Sequence, residues 1–258
     1  MLRKRLIFTL LFSEKNFYIS RNFNLQKVGD INWLYSNYNF DNISRFIDEL
    51  IIIDVSREKR DIDRLCDCVK VLSKKCFLPL SVGGGINNIE KAKKLFKSGA
   101  DKIVINTGLF YNKEFLNKLS KYAGSQSIVG SADFKSEKNK IVFYTHNGTN
   151  FLRISLKDFF KKINKFPIGE ILLRSINNDG TGQGLELEFL KKIDKNFTKK
   201  IILSGGIGNK DHLLHGYGQK KVDAIATSNL FNFIGDGLFN TRNFLIKKKI
   251  NLALHEKY

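Results

Sequence analysis

Short apolar and β-branched runs alternate along the chain with longer stretches whose apolar positions recur every three or four residues. Read as strands, the short runs are Arg5–Phe12, Glu49–Asp54, Leu78–Val82, Lys102–Asn106, Ser127–Asp133, Glu170–Ile176, Lys200–Ser204 and Val222–Thr227. The helical stretches include Arg57–Leu72, Ile89–Phe96, Lys113–Tyr122, Leu156–Ile163, Leu187–Ile193 and Lys210–Gly216. Eight strands, each followed by a helix or a gap of helical size, predict parallel pairing in a closed (βα)8 barrel, the TIM-barrel form of the α/β class. Runs such as Leu50-Ile51-Ile52-Ile53 suit strands covered on both faces. After the fifth strand, Lys140–Tyr144, His146-Asn147-Gly148-Thr149 and Phe151–Ile154 predict an inserted hairpin with an Asn-Gly turn. The opening MLRKRLIFTLLF has basic residues before an apolar run but no small-residue cleavage site before Ser13-Glu14-Lys15. It is expected to be the first strand and not a leader, which makes the cytoplasm the default location.

The pattern also repeats at half length. Ser81-Val82-Gly83-Gly84-Gly85-Ile86 matches Leu203-Ser204-Gly205-Gly206-Ile207, and Glu49–Asp54 matches Glu170–Ser175, both at an offset of 121. Ala100-Asp101-Lys102-Ile103 pairs with Val222-Asp223-Ala224-Ile225 at 122, and Leu109-Phe110 with Leu230-Phe231 at 121. Ser13-Glu14-Lys15-Asn16 recurs as Ser136-Glu137-Lys138-Asn139. A period of this length predicts a single domain, residues 1–258, made of two similar half-barrels at about 1–122 and 123–240.

Charge changes this picture little. The 258 residues carry 44 Lys+Arg against 25 Asp+Glu, a net +19, which raises the question of nucleic acid. With 34 Lys, 10 Arg, 28 Ile and 25 Asn, the excess follows a compositional drift spread over helix exteriors. No basic block is interleaved with aromatics as a strand-binding groove requires, so no nucleic-acid partner is expected. No apolar run approaches a membrane span. Cys66, Cys68 and Cys76 have no histidine nearby and read as buried or inert thiols, so neither metal nor cofactor is expected. His146, His212, His215 and His255 read as solvated or structural.

Barrel enzymes work at the carboxyl ends of their strands. Those positions hold Leu11, Asp54, Gly83–Gly85, Asn106-Thr107, Asp133, Asp179-Gly180-Thr181, Gly205-Gly206 and Ser228-Asn229. Glycine lets backbone N–H groups approach an anion, and nearby hydroxyls add donors. Any single Gly-Gly could simply make a tight turn. Two, related by the repeat, point to two phosphate sites across the mouth, at Gly84, Gly85, Asn106 and Thr107 and at Asp179, Gly180, Gly205, Gly206 and Ser228.

The order Lys4-Arg5, Asp54-Val55-Ser56-Arg57-Glu58-Lys59-Arg60, Val82-Gly83-Gly84-Gly85-Ile86, Asn106-Thr107, Gly124-Ser125-Gln126, Gly169-Glu170-Ile171-Leu172, Asp179-Gly180-Thr181 and Ser204-Gly205-Gly206 resembles the cyclase subunit of imidazole glycerol phosphate synthase, from Met1 to about Phe233. That resemblance implies a lyase-type barrel that binds a bisphosphorylated ligand at its top and receives ammonia from a glutaminase docked at its bottom. It implies an ammonia gate of Arg5, Glu49, Lys102 and Glu170, with Asp101 at the glutaminase contact. It further implies two catalytic aspartates. Asp133 supplies one, and Leu11 stands at the other position. Ile19 replaces a substrate-contacting lysine, with Arg21 and Lys15 as candidate substitutes, and Arg174 stands where the family has a small polar residue.

Leu10-Leu11, Ser56–Arg60 and Phe143–Thr149 look closer to a paralogous branch associated with sugar amidation in surface-polysaccharide (lipopolysaccharide) biosynthesis. Two alternatives stay open: an authentic cyclase subunit of histidine biosynthesis, and a non-catalytic phosphate-binding activator of a glutaminase.

Overall fold

The computed structural model describes residues 3–38, 44–138, 140–228 and 237–253. Asn139, Asn229, the Leu230-Phe231 match, Phe233 and His255 lie outside the described residues. In chain order the elements are β1 (Arg5–Ser13), β2 (Asn16–Arg21), β3 (Asn24–Asp30), α1 (Ile31–Tyr38), β4 (Glu49–Asp54), α2 (Ile62–Lys75), β5 (Leu80–Gly83), α3 (Ile89–Lys97), β6 (Lys102–Ile105), α4 (Thr107–Tyr111) and α5 (Lys113–Ala123). There follow β7 (Ile128–Glu137), β8 (Lys140–Thr145), β9 (Asn150–Leu152), α6 (Leu156–Asn164), β10 (Glu170–Ser175), β11 (Lys200–Ser204), α7 (Lys210–Tyr217), β12 (Val222–Thr227) and α8 (Gly237–Lys247). Strands β1, β4, β5, β6, β7, β10, β11 and β12 pair in parallel in that order, and β12 returns to β1. Eight parallel strands thus close a barrel with helices between them.

Strand alternation divides the apolar residues into two cores. Ile7, Leu11, Ile51, Ile53, Val104, Val129, Leu172, Ile202, Ala224 and Ala226 fill the lumen. Their neighbours on the same strands, such as Leu6, Phe8, Leu50, Ile52 and Ile171, pack outward in the shell that the helices cover. The lumen therefore has a vertical order set by register: charged residues where the strands begin, aliphatic layers above, and polar groups where the strands end.

The described structure differs from the pattern-based expectation where local hydrogen bonding sets an element's end. The helix expected from Arg57 starts at Ile62, because the Asp61 carboxylate accepts the N–H groups of Asp63 and Arg64 as an N-cap. Residues 57–60 are thereby left in the loop at the barrel mouth. Leu187–Ile193 forms a 3-10 helix at Glu188–Lys192, and Asn106 follows β6 instead of ending it. β7 runs past Asp133 to Glu137 and pairs antiparallel with β8, which pairs with β9. The β8–β9 connection is the four residues 146–149, with positive φ at His146, Asn147 and Gly148. Phe143 on β8 stacks on Phe159 of α6, with centroids 3.6 Å apart, and so seats this meander on the shell.

The hairpin β2–β3 was not expected. Its two connections, Glu14-Lys15 and Asn22-Phe23, have positive φ throughout and contain no glycine. Among the described residues no helix is long and apolar enough to cross a membrane. The three cysteines are free and buried, and burial pushes the Cys68 thiol up to about 12.

Candidate functional site

At the end of the barrel where the strands begin, the first lumen residues of β1, β4, β6 and β10 carry alternating charge. Arg5 lies 2.7 Å from Glu49 and 3.0 Å from Glu170, and Lys102 lies 3.0 Å from Glu49 and 3.6 Å from Glu170. The four side chains expected to act together do form one closed ring. Ser81 Oγ donates to the second oxygen of Glu49 at 2.5 Å. Burial opposes the charge on Arg5, but Glu170 and Glu49 outweigh it and hold the guanidinium above its ordinary value. Because Arg5 contacts both acids, replacing Lys102 leaves neither carboxylate stranded. Lys102→Met is therefore expected to cost only about 1–2 kcal/mol, read as a lower urea midpoint at unchanged slope.

Asp101, beside the ring, is exposed, and its carboxylate accepts the N–H of Leu80 at 2.8 Å. Asp48 does the same for Leu6, and Asp223 for Ile201. Each aspartate satisfies an N–H within the first two residues of a barrel strand, which is a sufficient structural reason for acid at these positions.

At the other end, β7 and β10 are in register with Arg174 directly opposite Asp133. The guanidinium holds one carboxylate oxygen through Nε at 2.8 Å and Nη2 at 2.7 Å, while Asn106 Nδ2 donates to the other oxygen at 2.8 Å. Asp133 has no solvent exposure. Burial raises its carboxyl above the ordinary range, against Arg174 and Asn106, which both favour the anion. A general acid or base must reach the proton it moves, and here both oxygens are already engaged. Leu11 faces the same space as an aliphatic side chain, 6% exposed.

The β2–β3 hairpin lies across this mouth. At its tip Phe23 N–H donates to Asp179 Oδ2 at 3.0 Å, Arg57 Nη2 donates to Phe23 O at 2.7 Å, and the Arg174 guanidinium sits 5.0 Å from the Phe23 ring centre. Asn22 donates its amide to the carbonyls of Ile176 and Asn177. The space left among Leu11, Phe23, Leu25 and Arg174 is about 50 Å³. Phe23 was not singled out from the sequence, and Arg57 stood there only as part of the Asp54–Arg60 motif, with no role of its own. Asn22 in a two-residue turn was the available signal.

The two glycine turns have matching backbones and unlike surroundings. Gly84 and Gly205 have φ +108 and +103, and a Cβ on either would strike the backbone carbonyl of the preceding strand's end, Asp54 or Ser175. At the first turn Arg60 packs over Gly85, where an added Cβ would lie 2.5 Å from its Cδ, and its guanidinium reaches Asn147 Oδ1 at 3.2 Å. Thr107 Oγ1 accepts the His146 N–H, and Asn106 is committed to Asp133. At the second turn a cavity of about 340 Å³ opens between the hairpin and Gly205-Gly206. Asp179, Gly180 and Ser228 line it, as do Ile19 and Arg21. Lys15 sits elsewhere, in an outer groove with Phe12 and Cys68. Among the described residues, no group of three or more His, Cys, Asp or Glu could hold a metal.

Comparison with known proteins places this arrangement. The model of the histidine biosynthesis protein family matches residues 25–234. A protein of Parasynechococcus marenigrum (strain WH8102), provisionally named imidazole glycerol phosphate synthase subunit hisF2, is 43% identical over 92% of this chain and 88% of its own length. Imidazole glycerol phosphate synthase subunit HisF of Chlorobium phaeobacteroides (strain BS1) is 30% identical, and that of Chloroherpeton thalassium (strain ATCC 35110 / GB-78) 31%, each over 98% of this chain and the whole of the relative. The chain belongs to the histidine biosynthesis protein family, as a homologue of the cyclase subunit of imidazole glycerol phosphate synthase.

Proposed function

We propose that this barrel passes ammonia from a partner glutaminase, docked near Asp101, through the ring of Arg5, Glu49, Lys102 and Glu170, and that it has given up the family's cyclisation chemistry. The observation that carries this reading is the engagement of Asp133 by Arg174 and Asn106 opposite Leu11. One carboxylate of the expected acid–base pair is absent, and the other is held in an ion pair. A pair of proton-transfer groups is thereby reduced to none, where each such group contributes about 10²–10⁴ in rate.

Two atoms support transit of a small polar molecule. Thr9 Oγ1, in the lumen between Ile7 and Leu11, and Asn106 Oδ1, just after β6, are both buried and find no hydrogen-bond partner among the described residues. Such atoms cost free energy when empty and suit a guest that donates and accepts hydrogen bonds, as ammonia does. The role served is amidation of a sugar in surface-polysaccharide biosynthesis, as in the paralogous branch that Leu10-Leu11 resembles. The barrel is one domain over residues 1–258, and its halves, about 1–122 and 123–240, are read as copies; the matched backbones at Gly84 and Gly205 support that descent. The meander after β7 is read as an insertion within the second copy.

The rival reading, an authentic cyclase of histidine biosynthesis, draws on the names of the HisF relatives. Expression in a histidine auxotroph lacking its own cyclase subunit separates the two. No growth without histidine is expected, and growth at the normal rate would overturn the proposal.

A further inference from the structure

The excess of lysine is polarised along the barrel axis. Helices α2, α3, α5 and α6 each carry an acid in the first turn and lysine in the last, the arrangement that complements a helix dipole. Each of these helices runs from the mouth back to the strand starts, so acids collect at the mouth and cations collect around the entrance ring. Lys74, Lys97, Lys121, Lys165, Lys200 and Lys220 stand exposed on the approaches to β5, β6, β7, β10, β11 and β12. The exposed ion pairs among the described residues, such as Lys118–Glu114 and Lys191–Glu188, include none of these six lysines. Among the described residues only Asp101 and Asp194 are exposed acids at this end. The entrance is therefore ringed by positive charge that the chain itself does not neutralise.

The same end carries the most exposed large apolar side chain among the described residues. Phe77, in the connection from α2 to β5, is 97% exposed. Its loop is tied to the ring and to Asp101. Pro79 O accepts the N–H of Leu50, the Asp101 carboxylate accepts that of Leu80, and Ser81 donates to Glu49. Four residues separate Phe77 from Ser81, a reach of at most about 14 Å. Anything that covers Phe77 thus lies beside the entrance. A phenyl ring held in water gains nothing there, whereas an aromatic side chain buried in a partner's pocket is a typical anchor of an interface.

We propose that the glutaminase feeding this barrel docks through an acidic face whose apolar socket takes Phe77. The inference rests on the reading that ammonia enters through the ring, and it names the surface chemistry of the partner. Charge decides among occupants. A second copy of this chain would set one cationic end against another, and like charges across an interface repel. An acidic face is instead steered onto the ring from a distance.

Stopped-flow association of the full chain with the glutaminase of the same organism tests this. The association rate is expected to fall about tenfold or more between 50 and 500 mM NaCl, roughly the range over which the Debye length shrinks from about 14 to about 4 Å. Lys74→Glu with Lys97→Glu is expected to lower the rate about tenfold. Lys113→Glu with Lys157→Glu makes the same change of net charge at helix starts and is expected to lower it by no more than about threefold. Phe77→Ala is expected to weaken the complex about thirtyfold, mainly through faster dissociation, with the urea midpoint unmoved. Phe151→Ala, an exposed aromatic on β9, should leave the complex unchanged. Association indifferent to salt, equal losses from the two charge-reversed pairs, or a Phe77→Ala effect within about twofold would each overturn the proposal. So would dimerisation of the free chain through Phe77, or an oligonucleotide held at this end more tightly than the glutaminase. A complex that ignores both salt and Phe77 would sink this inference and spare the glutaminase reading, whereas absence of any complex would sink both.

Discussion

Arg174→Ala is expected to destabilise the barrel by about 3–5 kcal/mol at neutral pH, the usual penalty for stranding a buried charge by removing its partner. Asp133 is fully buried and would keep only the Asn106 amide on one oxygen. The carboxyl can escape part of this penalty by taking up a proton, which gives the effect a pH signature. Its folded pKa is already raised by burial, and losing Arg174 raises it further. A carboxyl raised above its unfolded value favours the fold at low pH, and that contribution is lost as pH rises through the folded value. The deficit of the variant relative to the parent should therefore be smallest near pH 4, about where free aspartic acid titrates, and widen above it. Urea unfolding of both proteins across this range measures it. Replacing both partners by leucine is expected to bring stability back to within about 1 kcal/mol of the parent, since an apolar pair carries no desolvation penalty. A flat pH dependence of the Arg174→Ala deficit would mean that Asp133 is not the stranded group.

The second large effect is expected at Leu11. Leu11→Asp restores the carboxylate that the family resemblance calls for, yet it is expected to yield no cyclase turnover. The new carboxylate would lie in the aliphatic lumen among Ile7, Ile53 and Ala226 and cost about 2–5 kcal/mol of stability. It would also share its small cavity with an arginine already paired to Asp133, beneath Phe23. On the proposed reading, cyclisation would require freeing Asp133 and uncovering the mouth as well as adding the acid, so the single change leaves two obstacles in place. Imidazole glycerol phosphate formation with ammonium salts as the nitrogen source gives the readout, together with the unfolding midpoint. A gain of about 10² or more from the single substitution, the scale of one general acid or base, would show that Leu11 alone had silenced the site.

The barrel was legible because its strands are buried on both faces, so that short β-branched runs such as Leu50–Ile53 recur eight times in alternation with helical patterns. The charge ring was legible only through the family resemblance, which singles out four charged residues that each begin a strand; charge at a strand start would by itself read as a solvated end. The mouth was not. Arg174 and Asp133 lie 41 positions apart, and only the register of β7 on β10 sets them face to face. The β2–β3 hairpin escaped notice because its turns use Glu14-Lys15 and Asn22-Phe23, three of the four residue types being poor formers of left-handed turns. Packing over the barrel end stabilises a turn conformation that local propensity disfavours. The expected start of α2 at Arg57 erred for a related reason. Ser56–Arg60 is polar but makes its contacts upward, to Phe23 and Asn147, and the helix waits for Asp61.

The ring of four has a consequence for how the molecule assembles. Three of its members, Arg5, Glu49 and Lys102, lie in the first half of the chain, and the fourth, Glu170, lies in the second. Before the halves meet, the first presents one uncompensated positive charge at the base of its sheet, and the second presents one negative charge. Neither can be neutralised until β1 and β6 stand on opposite sides of β10 across the lumen. The ring therefore acts as a latch, because its ion pairs to Glu170 close only when β10 has taken its place across the lumen from β1 and β6.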